Sequence, residues 1–194
     1  MVRTSRLALV VGALSGAGAF LAGYVLTWIL AGTRAAQLTV GGPFGAAVPD
    51  WRAILWVFYD SHFVGTRTPR IIGPGGDVGG SGRLVDTVGL LGVEHLYVVP
   101  PLVLLVAGGA LAWRLGASDA REGLRAGILL VPGYFVLVVL GMMIGQQTGV
   151  GPSPLRAAVV AGVVYPVAFG AIGGVVAGLV GREYPEAPGQ RVAR

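Results

Sequence analysis

Three amino-acid types are missing from this chain, and each absence excludes a class of chemistry. Cysteine is absent, which excludes disulfides, iron–sulfur clusters, thiolate zinc sites and covalently attached c-type haem. Lysine is also absent, since all 14 basic residues are arginine, and this excludes a P-loop lysine, a Schiff-base lysine and a lysine general base. Asparagine does not occur either, so the chain has no N-glycosylation sequon.

Charge is scarce as well. Only 12% of the 194 residues are charged and 54% are hydrophobic, whereas a soluble domain has about 25% charged residues. This composition predicts an integral membrane protein with the lipid bilayer as its surroundings. The net charge of +5 comes from scattered arginines that form no continuous basic stripe, so we expect no nucleic-acid partner.

Glycine is the other unusual feature, with 34 residues. The glycines follow no Gly-X-Y period, which excludes collagen, and the high aliphatic content argues against glycine-rich disorder.

Four stretches are long and apolar enough to cross a bilayer, which takes about 20 residues. These predicted spans are residues 7–30, 96–113, 126–145 and 157–181. Helix signals support them: Asp119 and Glu122 form a potential capping box before the third span, Ser153-Pro154 suits the start of the fourth, and Gly181 suits its end. The sequence therefore predicts one all-α membrane domain over residues 1–194, a bundle of four transmembrane helices.

The arginines predict an orientation for this bundle. Four spans place both chain ends on one side, and eight arginines lie near that side against one, Arg156, in the 146–156 connection. By the positive-inside rule both termini and the tail 182–194 are cytoplasmic, in a multi-pass protein of the plasma membrane. The eight are Arg3, Arg6, Arg114, Arg121, Arg125, Arg182, Arg191 and Arg194.

The long segment 31–95 is then external, and it contains a short aromatic helix. Asp50 is a natural N-cap for residues 51–64, which hold five of the 16 aromatic residues. Fourteen residues cannot span a bilayer, so we expect this helix to be buried either at the lipid interface or against the outer ends of the spans. Residues 73–82 are rich in glycine and predict a flexible turn.

Small residues recur every fourth position in the fourth span, which places them on one helix face. Such a row lets another backbone approach closely. The favoured partner is a helix of the same chain, and a second copy of the chain is the alternative. The row comprises Ala158, Gly162, Pro166, Gly170, Gly174 and Gly178.

Prolines at Pro100-Pro101, Pro132 and Pro166 fall inside predicted spans and can kink them. Static kinks that shape the bundle are the commoner outcome, but broken helices also recur in transporters. No predicted span has an ionisable residue near its centre, which argues against ion-coupled transport.

The external segment holds the one cluster with catalytic or metal-ligating potential: Asp60, His62, Glu94 and His95. Imidazoles and carboxylates serve as metal ligands or as an acid–base pair. Neither Asp60-x-His62 nor Glu94-His95 is a diagnostic spacing, so the favoured interpretation is structural. In that interpretation the residues anchor the aromatic helix to the second span by hydrogen bonds or by an ion pair such as Arg52–Asp60, and we predict no metal or cofactor.

The run from Trp56 to Val64, Trp-Val-Phe-Tyr-Asp-Ser-His-Phe-Val, lies between a glycine-rich first span and a proline-started second one. In this run and in its layout the chain resembles small haloarchaeal multi-pass membrane proteins that are known as a domain of unknown function. The resemblance implies a four-span membrane protein and carries no activity to particular residues.

The sequence favours a non-enzymatic structural or interaction subunit, because it has a glycine row and lacks catalytic groupings. Its partner would be another copy or another membrane protein. The second hypothesis is a small transporter or channel component with proline-kinked helices. The third is a membrane enzyme or metal site built on the external cluster.

Overall fold

The computed structural model of the protein describes residues 6–38, 48–68, 72–73, 76–77, 84–147 and 149–181. Four of its helical stretches are long and apolar enough to cross a membrane. We call them spans one to four: Arg6–Leu38, Glu94–Arg114, Ala120–Gly145 and Pro154–Val180. Each contains a predicted span, save that the fourth predicted span runs one residue further, to Gly181.

The spans are built from helices of different kinds. Span one is α1 (Arg6–Ala35) with a short 3₁₀ turn (Ala36–Leu38), and span two is a 3₁₀ turn (Glu94–Val98) followed by α4 (Val99–Arg114). Span three contains α5 (Ala120–Ile128) and α6 (Val131–Gly145). Span four starts with α7 (Pro154–Arg156) and ends with α8 (Ala171–Val180). Two shorter helices, α2 (Asp50–Asp60) and α3 (Thr87–Leu91), lie between spans one and two in the chain.

Span three is interrupted, and the capping residues explain where it starts. Asp119 accepts a hydrogen bond of 2.8 Å from the Glu122 backbone nitrogen, so the helix begins at Ala120, six residues before the predicted boundary. The interruption at Leu129-Leu130 comes just before Pro132, which lies in the first turn of α6. A proline has no N–H to donate and clashes with the preceding turn, so Pro132 separates α5 from α6.

The other in-span prolines act differently. Pro100 lies in the first turn of α4, directly after the 3₁₀ turn Glu94–Val98, where a missing N–H costs nothing. Pro166 begins the second of two π-helical segments in span four, Ala157–Val164 and Pro166–Gly170. A π-helical turn is wider than an α-turn and is rare in proteins. Span four is therefore widened over about half of its length.

Short strands occur in the segment that the sequence predicted as helix and loop. They are β1 (Thr66–Arg67), β2 (Ile72–Gly73), β3 (Gly76–Asp77), β4 (Leu84–Val85) and β5 (Gly151–Pro152). β1 is the central strand of an antiparallel sheet in the order β4-β1-β5, and β2 pairs with β3. β5 belongs to the link between spans three and four, so this sheet joins that link to the segment before span two.

The aromatic helix α2 ends at Asp60, four residues before the predicted end. Its residues 53–60 are all buried. Of the two predicted environments, the structure shows the second, burial against the spans. Phe58 and Tyr59 join a core with side chains of all four spans, such as Phe20 and Leu104, while Trp56 and Val57 join a second core with Ala31 and Leu96.

Several predicted features lie outside the described residues. These are Arg3, most of the glycine-rich turn 73–82, and the tail 182–194 with Arg182, Arg191 and Arg194.

Candidate functional site

Hydrogen bonds hold α2 against the C-terminal half of span three. The Trp56 indole donates to the Gly145 carbonyl at 2.8 Å, and the Tyr59 hydroxyl donates to the Val138 carbonyl. Both acceptors lie on α6, and both donors are fully buried. We call Trp56, Phe58, Tyr59 and His62 the aromatic plug, because these side chains fill the space between the spans.

Asp60 is the last residue of α2 and is 1% exposed. Its Oδ2 accepts three hydrogen bonds: from the Thr87 hydroxyl at 2.7 Å, the Thr87 backbone nitrogen at 2.8 Å and the Thr66 hydroxyl at 3.0 Å. Thr66 belongs to β1 and Thr87 begins α3. Asp60 therefore connects α2, the small sheet and α3 through a single oxygen atom.

Two opposing effects act on the Asp60 carboxyl group. Burial raises its pKa from 3.8 to about 7, and the negative charge of Asp86 adds to this rise. The hydrogen bonds from Thr87 and Thr66 act in the other direction because they stabilise the charged form. Desolvation is the larger effect, so Asp60 exchanges a proton near neutral pH.

His62 lies in the middle of the protein and is 1% exposed. Its Nδ1 is 2.8 Å from the Phe58 carbonyl oxygen, and its Nε2 is 2.7 Å from the Tyr134 hydroxyl. A carbonyl can only accept, so Nδ1 carries the proton and Nε2 accepts from Tyr134. The imidazole also packs on the ring of Tyr165, with centroids 4.9 Å apart.

The protonation of His62 follows from this environment. Burial lowers its pKa from 6.5 to about 4, although the hydrogen bond to the Phe58 carbonyl favours the charged form. His62 is therefore a neutral, fully hydrogen-bonded core residue at physiological pH.

The four residues of the predicted external cluster divide into two pairs. Asp60 and His62 are buried and bind different partners, whereas Glu94 and His95 are exposed at the start of span two. Among the described residues, no group of three or more His, Cys, Asp or Glu side chains is arranged to hold a metal ion. The structure does not bring the two sequence pairs into one such group.

The suggested ion pair between Arg52 and Asp60 is not formed in the described structure. Arg52 donates instead to the Ile144 carbonyl at 3.3 Å and to the Gln147 side chain. Its guanidinium lies 4.7 Å from the centroid of the Trp51 ring. Hydrogen bonds connect α2 to spans one and three and to α3. Its contact with span two is through packing, because Trp56 and Val57 share a core with Leu96.

Three partners in this region were not predicted from the sequence: Thr66, Thr87 and Tyr134. Thr66 and Thr87 are separated from Asp60 by 6 and 27 residues, and Tyr134 from His62 by 72. The one available signal was the placement of Tyr134 in a span that is otherwise almost free of polar side chains.

The glycine row of span four contacts helices of the same chain. A β-carbon on Gly174 or Gly178 would overlap the backbone carbonyl of Gly123 or Asp119, respectively, both at α5. One on Gly108 of α4 or Gly127 of α5 would overlap the Gly170 carbonyl. Glycine is required at these points because the backbones themselves are in contact. We call Gly123, Gly127, Gly170, Gly174 and Gly178 the glycine interface.

The N-terminal part of the row, which includes Gly162 and Pro166, has different neighbours. A β-carbon on Gly162 would lie 2.7 Å from Cδ2 of Phe135, a side-chain atom of α6. Pro166 is buried next to Tyr165. Span four therefore contacts α6 with one part of the row and α4 and α5 with the other.

Comparisons with known proteins place the chain in a family. Neither the curated proteins nor the solved structures give a match. Residues 2–181, however, match the profile of a family of unknown function, DUF7978. This match covers most of the chain, in agreement with the expected likeness to a domain of unknown function. The chain therefore belongs to the DUF7978 family of unknown function.

Proposed function

We propose that this chain is a non-enzymatic subunit of the plasma membrane, from a haloarchaeal source, that works through association with another membrane protein or a second copy of itself. Its four spans form a rigid support, and the external segment provides the contact surface. The observation that carries this proposal is the conformation of Phe63.

Phe63 lies three residues after Asp60, the last residue of α2, and adopts a positive φ of 59°. Helices commonly end on a residue in this left-handed region, but that residue is usually glycine. A bulky side chain there is strained, and such strain tends to persist at functional sites. Phe63 is nevertheless 61% exposed.

Phe63 is held in a defined orientation. Its ring stacks on that of Tyr97, with centroids 4.5 Å apart and planes 3° from parallel. Large aromatic side chains dominate the binding energy of protein interfaces. A preoriented, exposed aromatic pair is therefore suited to contact a partner.

The segment that carries this aromatic pair is fixed to the spans by hydrogen bonds. The external segment is bonded to span one by Tyr24 and to span three by Trp56 and Tyr59, while Arg34 of span one donates to the carbonyls of Leu91 and Gly92. The glycine interface and the filled centre leave the spans closely packed, which favours a static role over a moving one.

The test is the association state of the intact protein after mild solubilisation, measured by light scattering in nanodiscs. We expect wild type to form a defined oligomer or a stoichiometric complex. Phe63→Gly removes the ring and the strain together, so the isolated chain stays folded while association is lost. Leu90→Ala, a change at another exposed apolar residue, is the control. A wild-type monomer without partners, or normal association of Phe63→Gly, contradicts the proposal.

The orientation has its own test, which the absence of native cysteine makes simple. In the proposal both termini are cytoplasmic. A membrane-impermeant thiol reagent then labels Glu94→Cys in intact cells, and labels Ser118→Cys in the link between spans two and three only after permeabilisation. The reverse pattern inverts the orientation.

The second candidate is a small transporter or channel component, and one observation favours it. Span three is broken at Leu129-Leu130 and span four has π-helical segments, and interrupted helices recur in transporters. This candidate predicts solute or ion flux in proteoliposomes that changes in Pro132→Ala or Pro166→Ala. No flux across a broad solute panel removes its support.

A further inference from the structure

A cavity of about 270 Å³ lies at the end of α2, next to Asp60. Its walls include two carboxylates, Asp60 and Asp86, and one guanidinium, Arg156. The remaining lining is mainly apolar, from Phe63, Leu84 and Val85. We call this space the Asp60 cavity. Pockets for drug-sized ligands begin at about 300 Å³, so its size suits a smaller molecule.

One atom of Asp60 has no partner. Oδ2 accepts three hydrogen bonds, but the buried Oδ1 accepts none from any described residue. A buried carboxylate oxygen without a donor is costly, and such atoms in proteins call for an explanation. A donor supplied from the cavity removes that cost.

The second carboxylate, that of Asp86, adds negative charge that its hydrogen-bond partners do not neutralise. Asp86 accepts from the Val88 backbone nitrogen at 3.0 Å and from the Tyr97 hydroxyl. Neither donor carries a positive charge, so neither neutralises Asp86. With both acids ionised, the described residues that line the cavity carry two negative charges and one positive charge, that of Arg156. One further positive charge balances this set.

We propose that the Asp60 cavity binds the primary ammonium group of a small amine. The ammonium group donates to Oδ1 of Asp60 and balances the second carboxylate. An N–H donor is essential, because Oδ1 lacks a hydrogen bond and charge alone does not supply one. A quaternary ammonium has the same charge and no N–H, and it therefore binds weakly.

Two small amines test this requirement on the unmodified protein: ethanolamine and choline, which carry the same charge and the same hydroxyl group. Binding is measured by calorimetry with the full chain in phosphatidylcholine nanodiscs at constant ionic strength. Hydrogen bonds to charged groups contribute about 1.5–3 kcal/mol, so we expect ethanolamine to bind at least about tenfold more tightly than choline.

Asp60→Asn tests the assigned atom. The asparagine amide can place its own NH₂ group where Oδ1 was, so ethanolamine binding should be lost. Glu94→Gln removes an external carboxylate outside the cavity and should leave the affinity unchanged. Arg156→Gln removes the competing positive charge at an exposed site, and we expect binding to tighten about two- to fivefold. This third variant keeps the test valid if Asp60→Asn does not fold.

The amine can come from solution or from a lipid headgroup, and a second nanodisc preparation distinguishes these sources. If phosphatidylethanolamine occupies the cavity, its inclusion weakens the apparent affinity for free ethanolamine. If the cavity is reached only from water, the affinity is unchanged. Equal binding of ethanolamine and choline, or binding of neither, overturns the proposal and leaves water as the partner of Oδ1.

Discussion

The glycine interface and the aromatic plug pack the helices of this protein in opposite ways. At the glycine interface, α5 and span four touch through backbone atoms with no side chain between them. At the plug, a separate helix inserts Trp56, Phe58, Tyr59 and His62 between the spans, and every one of these side chains is buried. One region is intolerant of added atoms, and the other is intolerant of lost atoms. The difference shows that spans can be held by direct backbone contact in one region and by the side chains of an inserted helix in another.

Removing a ring from the aromatic plug should give the largest loss of stability. Phe58 contacts the rings of Phe20 and His62 edge-on, with centroids 5.1 and 4.9 Å apart. We expect Phe58→Ala to lower the free energy of unfolding by about 3–5 kcal/mol, because it leaves a cavity among buried side chains. Denaturant unfolding in detergent measures this change. Phe63→Ala deletes the same ring at an exposed site and is the control. Equal losses for the two variants would contradict the assignment of Phe58 to the core.

Adding one carbon to the glycine interface should give the next largest loss of stability. In Gly174→Ala the new methyl group meets the Gly123 carbonyl, so two helix backbones must move apart. We expect a loss of about 1–3 kcal/mol. Gly18→Ala is the matched change in α1, where a β-carbon meets nothing within 4 Å. It should be neutral or slightly stabilising, since alanine favours a helix. If both variants unfold alike, the backbone contact is not present.

Removing the hydrogen bond to His62, in the polar centre of the aromatic plug, should lower the stability less. Tyr134→Phe removes the donor to Nε2 of His62 and leaves that buried nitrogen unsatisfied. The expected cost is about 1–3 kcal/mol, near the lower end because the ring remains. Tyr165→Phe keeps a ring against His62 and removes a hydroxyl that makes no hydrogen bond within the described residues. Unfolding curves of the two variants should therefore separate, and coincidence would argue against the His62–Tyr134 bond.

The smallest expected effect is on the pH dependence of stability. The pKa of Asp60 is raised from 3.8 to about 7, so its contribution to stability is full below pH 3.8 and is lost as the pH rises to 7. The pKa of His62 is lowered from 6.5 to about 4, so its contribution is full above pH 6.5 and is lost as the pH falls to 4. Between pH 4 and 6.5 the two trends oppose each other.

Asp60→Asn removes one of these trends. The stability of the variant should fall more steeply than that of wild type as the pH drops from 6.5 to 4, because only the His62 contribution then changes. Melting temperatures across this range measure the difference. Parallel curves for the two proteins would show that Asp60 does not take up a proton there.

The two regions also differ in how far the sequence predicts them. The glycine row is visible in the sequence because it follows helical spacing within one element, and its location in span four indicates a close contact. The choice between a partner helix in the same chain and one in another copy depends on three-dimensional neighbours such as Gly123 and Gly127. No spacing within span four contains that information.

The sequence predicts that the aromatic plug belongs to a buried helix, but it does not predict the hydrogen-bond partners of that helix. Aromatic content and the Asp50 N-cap predict a buried helix near residues 51–64. The partners of Asp60 and His62 come from two-residue strands, a five-residue helix and a distant span. Strands of two residues show no alternation of apolar and polar side chains. The unpartnered oxygen of Asp60 is likewise a property of the folded arrangement alone.

The connections of the plug also impose an order of events during synthesis. Trp56 finds its acceptor 89 residues later in the chain, and Tyr59 finds its acceptor 79 residues later. β1 completes its sheet only with β5 at Gly151–Pro152. At 5–20 residues per second, the ribosome needs on the order of 5 to 20 seconds to produce these partners. During that interval Trp51 and Phe58 already have partners in span one, but the acceptors of Trp56 and Tyr59 on span three have not been synthesised.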